Sequence, residues 1–578
     1  MRQGIQGTVL VLDGQFMSAL AIARSLGQRG IRVILASTDS SPLAGRSRYV
    51  SAHHRYADPA EATDIFLDDI AAIIERYRPD LLIPVTEKTL IPISEQRDRF
   101  QALTSVALPP VDALITVLDK QATADLAASL SIPTPLSFLT SDEFSLQQAS
   151  DQTGFPVVLK PIRSVSRQEG GIGPQLAVTY AFNAEELPRI AQPLLKHGEV
   201  VLQEYFQGEG IGIELIAEQG VVRYAFQHRR LHEMPLSGGG SSLRESVPIS
   251  PRLLDAAKRL MSALNWHGVA MVEFKVEPVS GDFRLIEING RFWGSLPLSI
   301  AAGADFPLLA WELYTQDVLT LIGPARVGVR CRDLAKDIYW HEHVIRRLTD
   351  SRLFQYPTKT SVLLGLLGVF SPRHHFDSWS LRDPMPGLVE LGRLWVHYYD
   401  RIANICSDKI ALKQQQRAWK SGRLQKTLAG SQNILILCYG NINRSAAAHA
   451  YLQQRFKNKL EIKFYSAGFH LHEGRPADPN MVETGAQNGI DMSQWRSTAL
   501  TKELLDQADI IFAMEVSQLA RIATLSPDAS NRSYLWGASL GTMGEPMEIA
   551  DPYGKPIEEY KNCFGQLTRA ADRMFETG

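Results

Sequence analysis

Cysteine is scarce in this chain: 578 residues hold only four, Cys331, Cys406, Cys438 and Cys563. No two are spaced CxxC, so the sequence carries neither a disulfide framework nor a zinc pattern. Such usage suits a reducing cytosol. Charge of one sign is also missing. The formal net charge of −2 gives no reason to expect a nucleic-acid partner. Long apolar runs are absent. SVLLGLLGVF (361–370) falls well short of the roughly 20 residues that span a bilayer. The N-terminal MRQGIQGTVLVLDG turns polar at Asp13 and does not read as a signal peptide. A glycine fingerprint is missing too, since Gly14 stands alone after the first apolar run, without the rest of GxGxxG. The expectation is a cytoplasmic protein without a membrane span.

What is present is length and a hydrophobic content of 45%, enough for roughly three or four domains of about 100–200 residues each. Residues 1–113 alternate short apolar strands, such as TVLVLDG, IRVILAS and PDLLIPVTE, with the helical FMSALAIARSLGQRG. That βαβ rhythm predicts a Rossmann-like parallel sheet. Residues 114–315 bring FPVVLKPI, EVVLQEYF, GIGIELIA, VAMVEFKVE and FRLIEING, a pattern expected of an α+β domain on an antiparallel platform. Residues 316–429 are mainly helical. Their end, KIALKQQQRAWKSGRLQKTLAGSQ, reads as an exposed helix or linker. From 430 to 578 the βαβ rhythm returns. The fold class is therefore α/β, multidomain.

In the last segment NILIL leads into CYGNINRS (438–445) and then SAAAHAYLQQRF. A strand, a loop and a helix in that order aim backbone N–H groups and the helix N-terminus at the loop. Such a cradle holds a tetrahedral oxyanion. Arg444 adds a bidentate fork, Gly440 permits close approach, and Asn441 tolerates a left-handed turn. A positive field of this kind favours the thiolate, the nucleophilic form of Cys438. Taken alone, CX5R is a weak motif, and the alternative is a buried structural cysteine.

Residues 431–576 resemble the low-molecular-weight protein tyrosine phosphatases. The match lies in the CxGNxxRS loop, YSAG (465–468), NGID (488–491), Arg496 and the late Asp551-Pro552-Tyr553. The resemblance implies that Cys438 attacks phosphorus and Arg444 holds the transition state. Asp551 would protonate the leaving oxygen and then activate water, Ser445 would donate to the thiolate, and Asn441 would tie the loop. Three positions depart from the pattern. Asn443 replaces a frequent second cysteine, Ala446 a proline and His449 a glutamate. Ile442 goes with phosphotyrosine, where relatives acting on phosphoarginine tend to have threonine. Arsenate reductases share this fold but need two further cysteines, and Cys563 is the only other one here.

A second constellation lies at MVEFK (271–275) and LIEING (285–290). Period-two alternation sets Glu287 and Asn289 on one face, and a hairpin would bring Glu273 beside them. Three such oxygen donors suit Mg²⁺ bridging nucleotide phosphates. A salt-bridged sheet surface is the bland alternative. Arg291 follows at once and could grip a phosphate or a carboxylate. The order of motifs from about 1 to 315 resembles the ATP-grasp superfamily, and within it the carbamoyl-phosphate-synthase-like carboxylate–amine ligases. That resemblance implies Lys120 and Lys160 on the phosphates and a glycine lid at Gly170 and Gly171. It also implies a hinge, Gln203, Glu204, Tyr205 and Phe206, at the adenine, with Glu273, Glu287 and Asn289 on Mg²⁺. His228, Arg229 and Arg230 could grip an anionic acid or form a solvated strand edge. Residues 377–394 resemble the tail of such ligases.

Together these features imply a bifunctional enzyme using ATP and Mg²⁺. One part would join a small carboxylate to an amine, and the other would dephosphorylate a phosphotyrosine protein, for example a bacterial tyrosine kinase. Phosphatases of this kind often accompany the kinases of polysaccharide export. The competing readings are a non-catalytic ATP-sensing module that regulates the phosphatase, and an arsenate-reductase-like C-terminal domain.

Overall fold

A computed structural model describes residues 6–575, apart from 162–164, 169–170, 176–177, 237, 317–318, 321–322, 350, 368–370 and 457–461. The chain forms two compact units, Met1–Leu394 and Trp395–Gly578. Each is α/β, as the alternation of apolar strands and helices predicts.

The first unit begins with a five-stranded parallel sheet in the order Val50–Arg55, Arg32–Ser37, Thr8–Val11, Leu81–Ile83, Ser105–Val106. Val9, Leu10 and Val11 are fully buried because helices cover both faces of this sheet. An antiparallel four-stranded sheet follows, ordered Thr179–Ala181, Val157–Pro161, Val200–Glu204, Ser137–Thr140. The third sheet has seven strands: Phe283–Asn289, Gly268–Val276, Glu209–Glu218, Val221–Met234, Gly240–Ser246, Arg330–Arg332 and His374–Phe376.

Alternation divides the strand Glu209–Glu218 between two faces. Ile211, Ile213 and Leu215 enter a core with Leu253, Ala257 and Leu260 from the helix Pro251–Ala263. Gly210, Gly212 and Glu214 lie on the other face, the one that carries the polar site. The tail segment is tied down by buried charge. Arg24 Nε donates to Asp383 Oδ2 at 2.8 Å, and Arg244 Nη2 donates to both oxygens of Asp377 at 2.6 Å.

The second unit is built on a parallel sheet ordered Lys463–Gly468, Asn433–Cys438, Ile510–Ala513, Ser533–Leu535. The helices Arg444–Phe456 and Ile557–Phe575 close one face, while Leu505 and Ile522 belong to the core on the other. The segment expected to be an exposed linker is helical but not simply exposed. Ala418, at the end of the helix Met385–Lys420, packs into this unit's core with Leu424 and Leu428 of the helix Arg423–Ala429. Gln415 Oε1 accepts from the Leu535 amide at 3.0 Å. Counting Lys, Arg and Gln overlooked the apolar residues spaced among them.

Candidate active sites

Cys438 ends its strand and is buried at the mouth of the loop. Its Sγ accepts from the Asn441 amide at 3.2 Å and from Ser445 Oγ at 3.0 Å. Asn441 has φ +51°, a conformation that asparagine tolerates better than most residues. Its Nδ2 donates to Ser445 Oγ and Ser466 Oγ at 2.9 and 3.0 Å, and its Oδ1 accepts from the Thr498 amide at 2.9 Å. The loop is thus fixed from three directions. Gly468 permits this, because a Cβ there would stand 2.9 Å from the loop backbone at Asn441 N and Tyr439 O.

Arg444 begins the next helix and is almost fully buried. Its Nη2 donates to Asp551 Oδ2 at 2.5 Å, while Nη1 donates to Ile549 O at 2.9 Å and pairs with Glu515. Burial works against its charge, but Cys438, Asp551 and Glu515 outweigh that and raise its pKa. The structure therefore brings Cys438, Asn441, Arg444, Ser445 and Asp551 to one mouth. Glu515 was not foreseen. It lies between the strand Ile510–Ala513 and the helix Val516–Leu525, and its only signal in sequence was a carboxylate at a strand end.

In the first unit, Glu273 and Glu287 face each other across the antiparallel pair of strands. Asn289 Nδ2 donates to Glu287 Oε1 at 2.9 Å. Burial opposes the charge on Glu287, yet the Asn289 bond, Lys160, Arg230 and Lys120 hold its pKa below the ordinary value. Burial raises Glu273 to about 7, against Arg230 and with Glu287. Burial depresses Lys160 to about 8 despite Glu287 and Glu273. Lys160 Nζ donates to Gln203 Oε1 at 2.7 Å, and Lys120 Nζ to Pro161 O at 3.0 Å. A cavity of about 540 Å³, open to solvent, is lined by Lys120, Glu287, Asn289, Arg291 and Glu87, among others.

The remaining expected residues are more dispersed. Glu204 turns back on its own sheet edge, where Oε2 accepts from the Leu136 amide at 3.1 Å. Tyr205 lies beside Tyr180, and Arg284 stacks over the Phe206 ring at 4.7 Å. Gly171 opens the strand Gly171–Gln175, and Gly170 lies outside the described residues. Arg291 Nη2 donates to Glu87 Oε1 at 3.3 Å, a partner with no signal in sequence.

The three basic residues expected to grip an acid or line a strand edge do not act together. His228 is fully buried, 3.0 Å from Glu214 Oε1. Arg229 pairs with Glu245 at 3.0 Å. Arg230 Nη2 reaches Glu273 Oε2 at 2.5 Å, and its Nη1 reaches Glu233 at 3.2 Å. The space for that reach comes from glycine, since a Cβ at Gly210 would stand 2.9 Å from Arg230 Cδ.

Comparison with known proteins separates the two parts. The family model of low molecular weight phosphotyrosine protein phosphatases matches residues 433–577. The probable low molecular weight protein-tyrosine-phosphatase EpsP of Ralstonia nicotianae is 36% identical over 141 residues, which are 24% of this chain and 92% of EpsP. Through this part the chain belongs to the low molecular weight phosphotyrosine protein phosphatases. A protein-arginine-phosphatase of Geobacillus stearothermophilus is 33% identical over 144 residues, 25% of this chain and 93% of that protein.

A second model, described as ATP-grasp in the biosynthetic pathway with Ter operon, matches residues 196–336. The biotin carboxylase–β,γ-ATP complex from Campylobacter jejuni is 17% identical with a TM-score of 0.45, covering 56% of this chain and 74% of that one.

The phosphatase's departures from its family pattern have structural counterparts. Asn443 is buried with neither side-chain amide atom partnered among the described residues. His449 Nδ1 sits 3.0 Å from Ser466 Oγ, and burial lowers its pKa to about 4. In the part that contains the segment matched by the ATP-grasp model, two carboxylates and an amide side chain on adjoining strands fit a hard cation shared with phosphate oxygens. Among the described residues, no group of three or more His, Cys, Asp or Glu could hold a metal by itself. A metal bridged to nucleotide phosphates needs fewer protein ligands than that.

Proposed function

We propose that the chain is a bifunctional enzyme: a phosphotyrosine phosphatase working through a cysteinyl-phosphate, and an ATP-dependent carboxylate–amine ligase working through an acyl phosphate. The observation that carries the phosphatase roles is the convergence of Asn441 N–H and Ser445 Oγ on Cys438 Sγ, with Arg444 and Asp551 at the same mouth.

In this reading Cys438 attacks phosphorus from the side opposite the leaving oxygen. The phosphate takes the Arg444 N–H donors that Asp551 and Glu515 engage in the resting state, which frees Asp551. Asp551 gives its proton to the leaving phenolate, a poor leaving group without one. It then takes a proton from the water that attacks the cysteinyl-phosphate. Ser445 and Asn441 hold the thiolate and the loop.

For the ligase, the carrying observation is the facing pair Glu273–Glu287, with Lys120 and Lys160 near it. Glu273, Glu287 and Asn289 would hold Mg²⁺, which supplies charge neutralisation for the nucleotide phosphates. Lys120 and Lys160 bind those phosphates. The backbone of Gln203–Phe206 meets the adenine, Gly170 and Gly171 close over the phosphates, and Arg291 holds an anionic group of the substrate. The phosphatase substrate is a phosphotyrosine protein, and a bacterial tyrosine kinase of surface-polysaccharide synthesis fits the family resemblance.

The test is an ATP-consumption screen over amino acids and sugar acids with added amines. Turnover that requires both an acid and an amine supports the ligase. Tight ATP binding without turnover would instead favour an ATP-sensing module.

A further inference from the structure

The hydrogen bonds that hold the Cys438 loop do not stop at Asn441. Ser445 takes one Nδ2 hydrogen of Asn441 at 2.9 Å, and Ser466 of the strand Lys463–Gly468 takes the other at 3.0 Å. Ser466 Oγ also lies 3.0 Å from Nδ1 of His449, on the helix Arg444–Phe456. Asn441, Ser445 and Ser466 are all buried. Trp495 braces both ends of this group. Its Nε1 donates to Asn441 O at 2.8 Å, and its ring meets the His449 ring edge to face at 5.3 Å.

The direction of each proton follows from the partners. Asn441 Oδ1 accepts from the Thr498 amide at 2.9 Å, which excludes the flipped amide and sends both Nδ2 hydrogens to the serines. Ser445 Oγ accepts one of them and donates its own hydrogen to Cys438 Sγ at 3.0 Å. Ser466 Oγ has one hydrogen to place and, among the described residues, meets only Asn441 and His449. His449 Nε2 is sealed from solvent without a partner. If Nδ1 carried the ring proton, the Ser466 hydrogen and the Nε2 lone pair would both be orphaned. With the proton on Nε2, Ser466 donates to Nδ1 and only Nε2–H is left over. Each buried polar group without a partner costs free energy, so the second tautomer is favoured. Burial lowers the ring pKa to about 4, so the ring is neutral at neutral pH.

We propose that His449 is a positioning residue of the phosphatase: as terminal acceptor it fixes the chain His449–Ser466–Asn441–Ser445 so that the Ser445 hydroxyl points at the Cys438 sulfur. This rests on the phosphatase reading above. It gives a role to a position where the family pattern has glutamate. A donor aimed at sulfur matters most when sulfur must leave. In the second step the oxygen of water bonds to phosphorus and Asp551 takes its proton. The S–P bond breaks, and its electron pair goes to the sulfur that Ser445 faces. Without an acceptor at residue 449, the buried Ser466 hydroxyl turns away to find one. Asn441 then loses a partner, and Ser445 its fixed direction.

The test uses the full chain and 4-nitrophenyl phosphate, whose good leaving group makes the first step easy. His449→Leu should lower kcat about tenfold, with KM falling alongside and kcat/KM changing far less. The burst of nitrophenolate should grow, because the cysteinyl-phosphate accumulates. His449→Asn, with Oδ1 where Nδ1 stood, should restore most of kcat. Ser466→Ala should reproduce the loss, and adding His449→Leu to it should cost nothing more. Nitrogen NMR of the imidazole should show the proton on Nε2. An equal fall in kcat and kcat/KM, no rescue by asparagine, additive losses in the double variant, or a proton on Nδ1 each overturns the positioning role. Wild type that releases no nitrophenolate, or release that persists in Cys438→Ser, overturns the phosphatase reading instead, and the positioning role with it.

Discussion

Asp551 and Asn443 show how much one side chain decides in the phosphatase. If Asp551 is the acid, its contribution scales with how badly the leaving group needs a proton. General acid help is worth about 10²–10⁴-fold. Asp551→Asn is expected to slow phenyl phosphate cleavage by that order and dinitrophenyl phosphate far less. Phosphoenzyme formation rates across a leaving-group series check this. A uniform loss would mean that Asp551 only holds Arg444, its partner at 2.5 Å. Asn443 is buried with neither amide atom partnered among the described residues, so replacing it removes no side-chain hydrogen bond to any of them. Asn443→Cys is expected to leave stability nearly unchanged. It should also trap the Cys438 sulfenic acid as a disulfide before further oxidation, so a thiol reductant should restore a larger share of peroxide-inactivated enzyme than in wild type. Assays before and after reductant decide it.

At the scale of elements, two segments owe their packing to details finer than pattern. The helix Arg423–Ala429 buries Leu424 and Leu428 in the phosphatase core. Each buried leucine is worth about 1.5–3 kcal/mol. A fragment beginning at Gln432 should therefore be less stable by about 3–6 kcal/mol than one beginning at Lys409, as read by denaturant midpoints. The helix Arg444–Phe456 carries His449, which burial holds near 4, below the ordinary value of 6.5. Since its folded pKa is the lower one, the unfolded chain binds the proton first. Stability present above about pH 6.5 is lost as pH falls toward 4. His449→Gln should flatten that part of the stability–pH curve. An unchanged slope would place the titration elsewhere.

On the scale of the whole molecule, the two proposed sites lie in separate compact units, with Glu287 in Met1–Leu394 and Cys438 in Trp395–Gly578. Their chemistries are expected to be separable. Cys438→Ser should abolish aryl phosphate hydrolysis and leave Mg-ATP binding unchanged. Glu287→Gln should remove Mg-dependent ATP turnover and leave the phosphatase at its wild-type rate. Calorimetry and the two turnover assays check both halves, and cross-loss in either direction would show communication between the sites.

The sequence by itself determined the α/β class, the strand–loop–helix around Cys438 and the opposition of Glu273 to Glu287. Each follows from local periodicity or from a hairpin with a short turn, and none of the three needs distant information. Tertiary structure decided the partners. Glu515 meets Arg444 across 71 residues, Glu87 meets Arg291 across 204, and Asp337 meets His232 across 105. An ion pair leaves no periodic trace in a chain, because either charge is equally at home on a solvated surface. Arg230 could equally have faced an acid substrate or solvent. The missing Cβ at Gly210 leaves room for its side chain to reach Glu273, and only folding brings that glycine, the arginine and the carboxylate together.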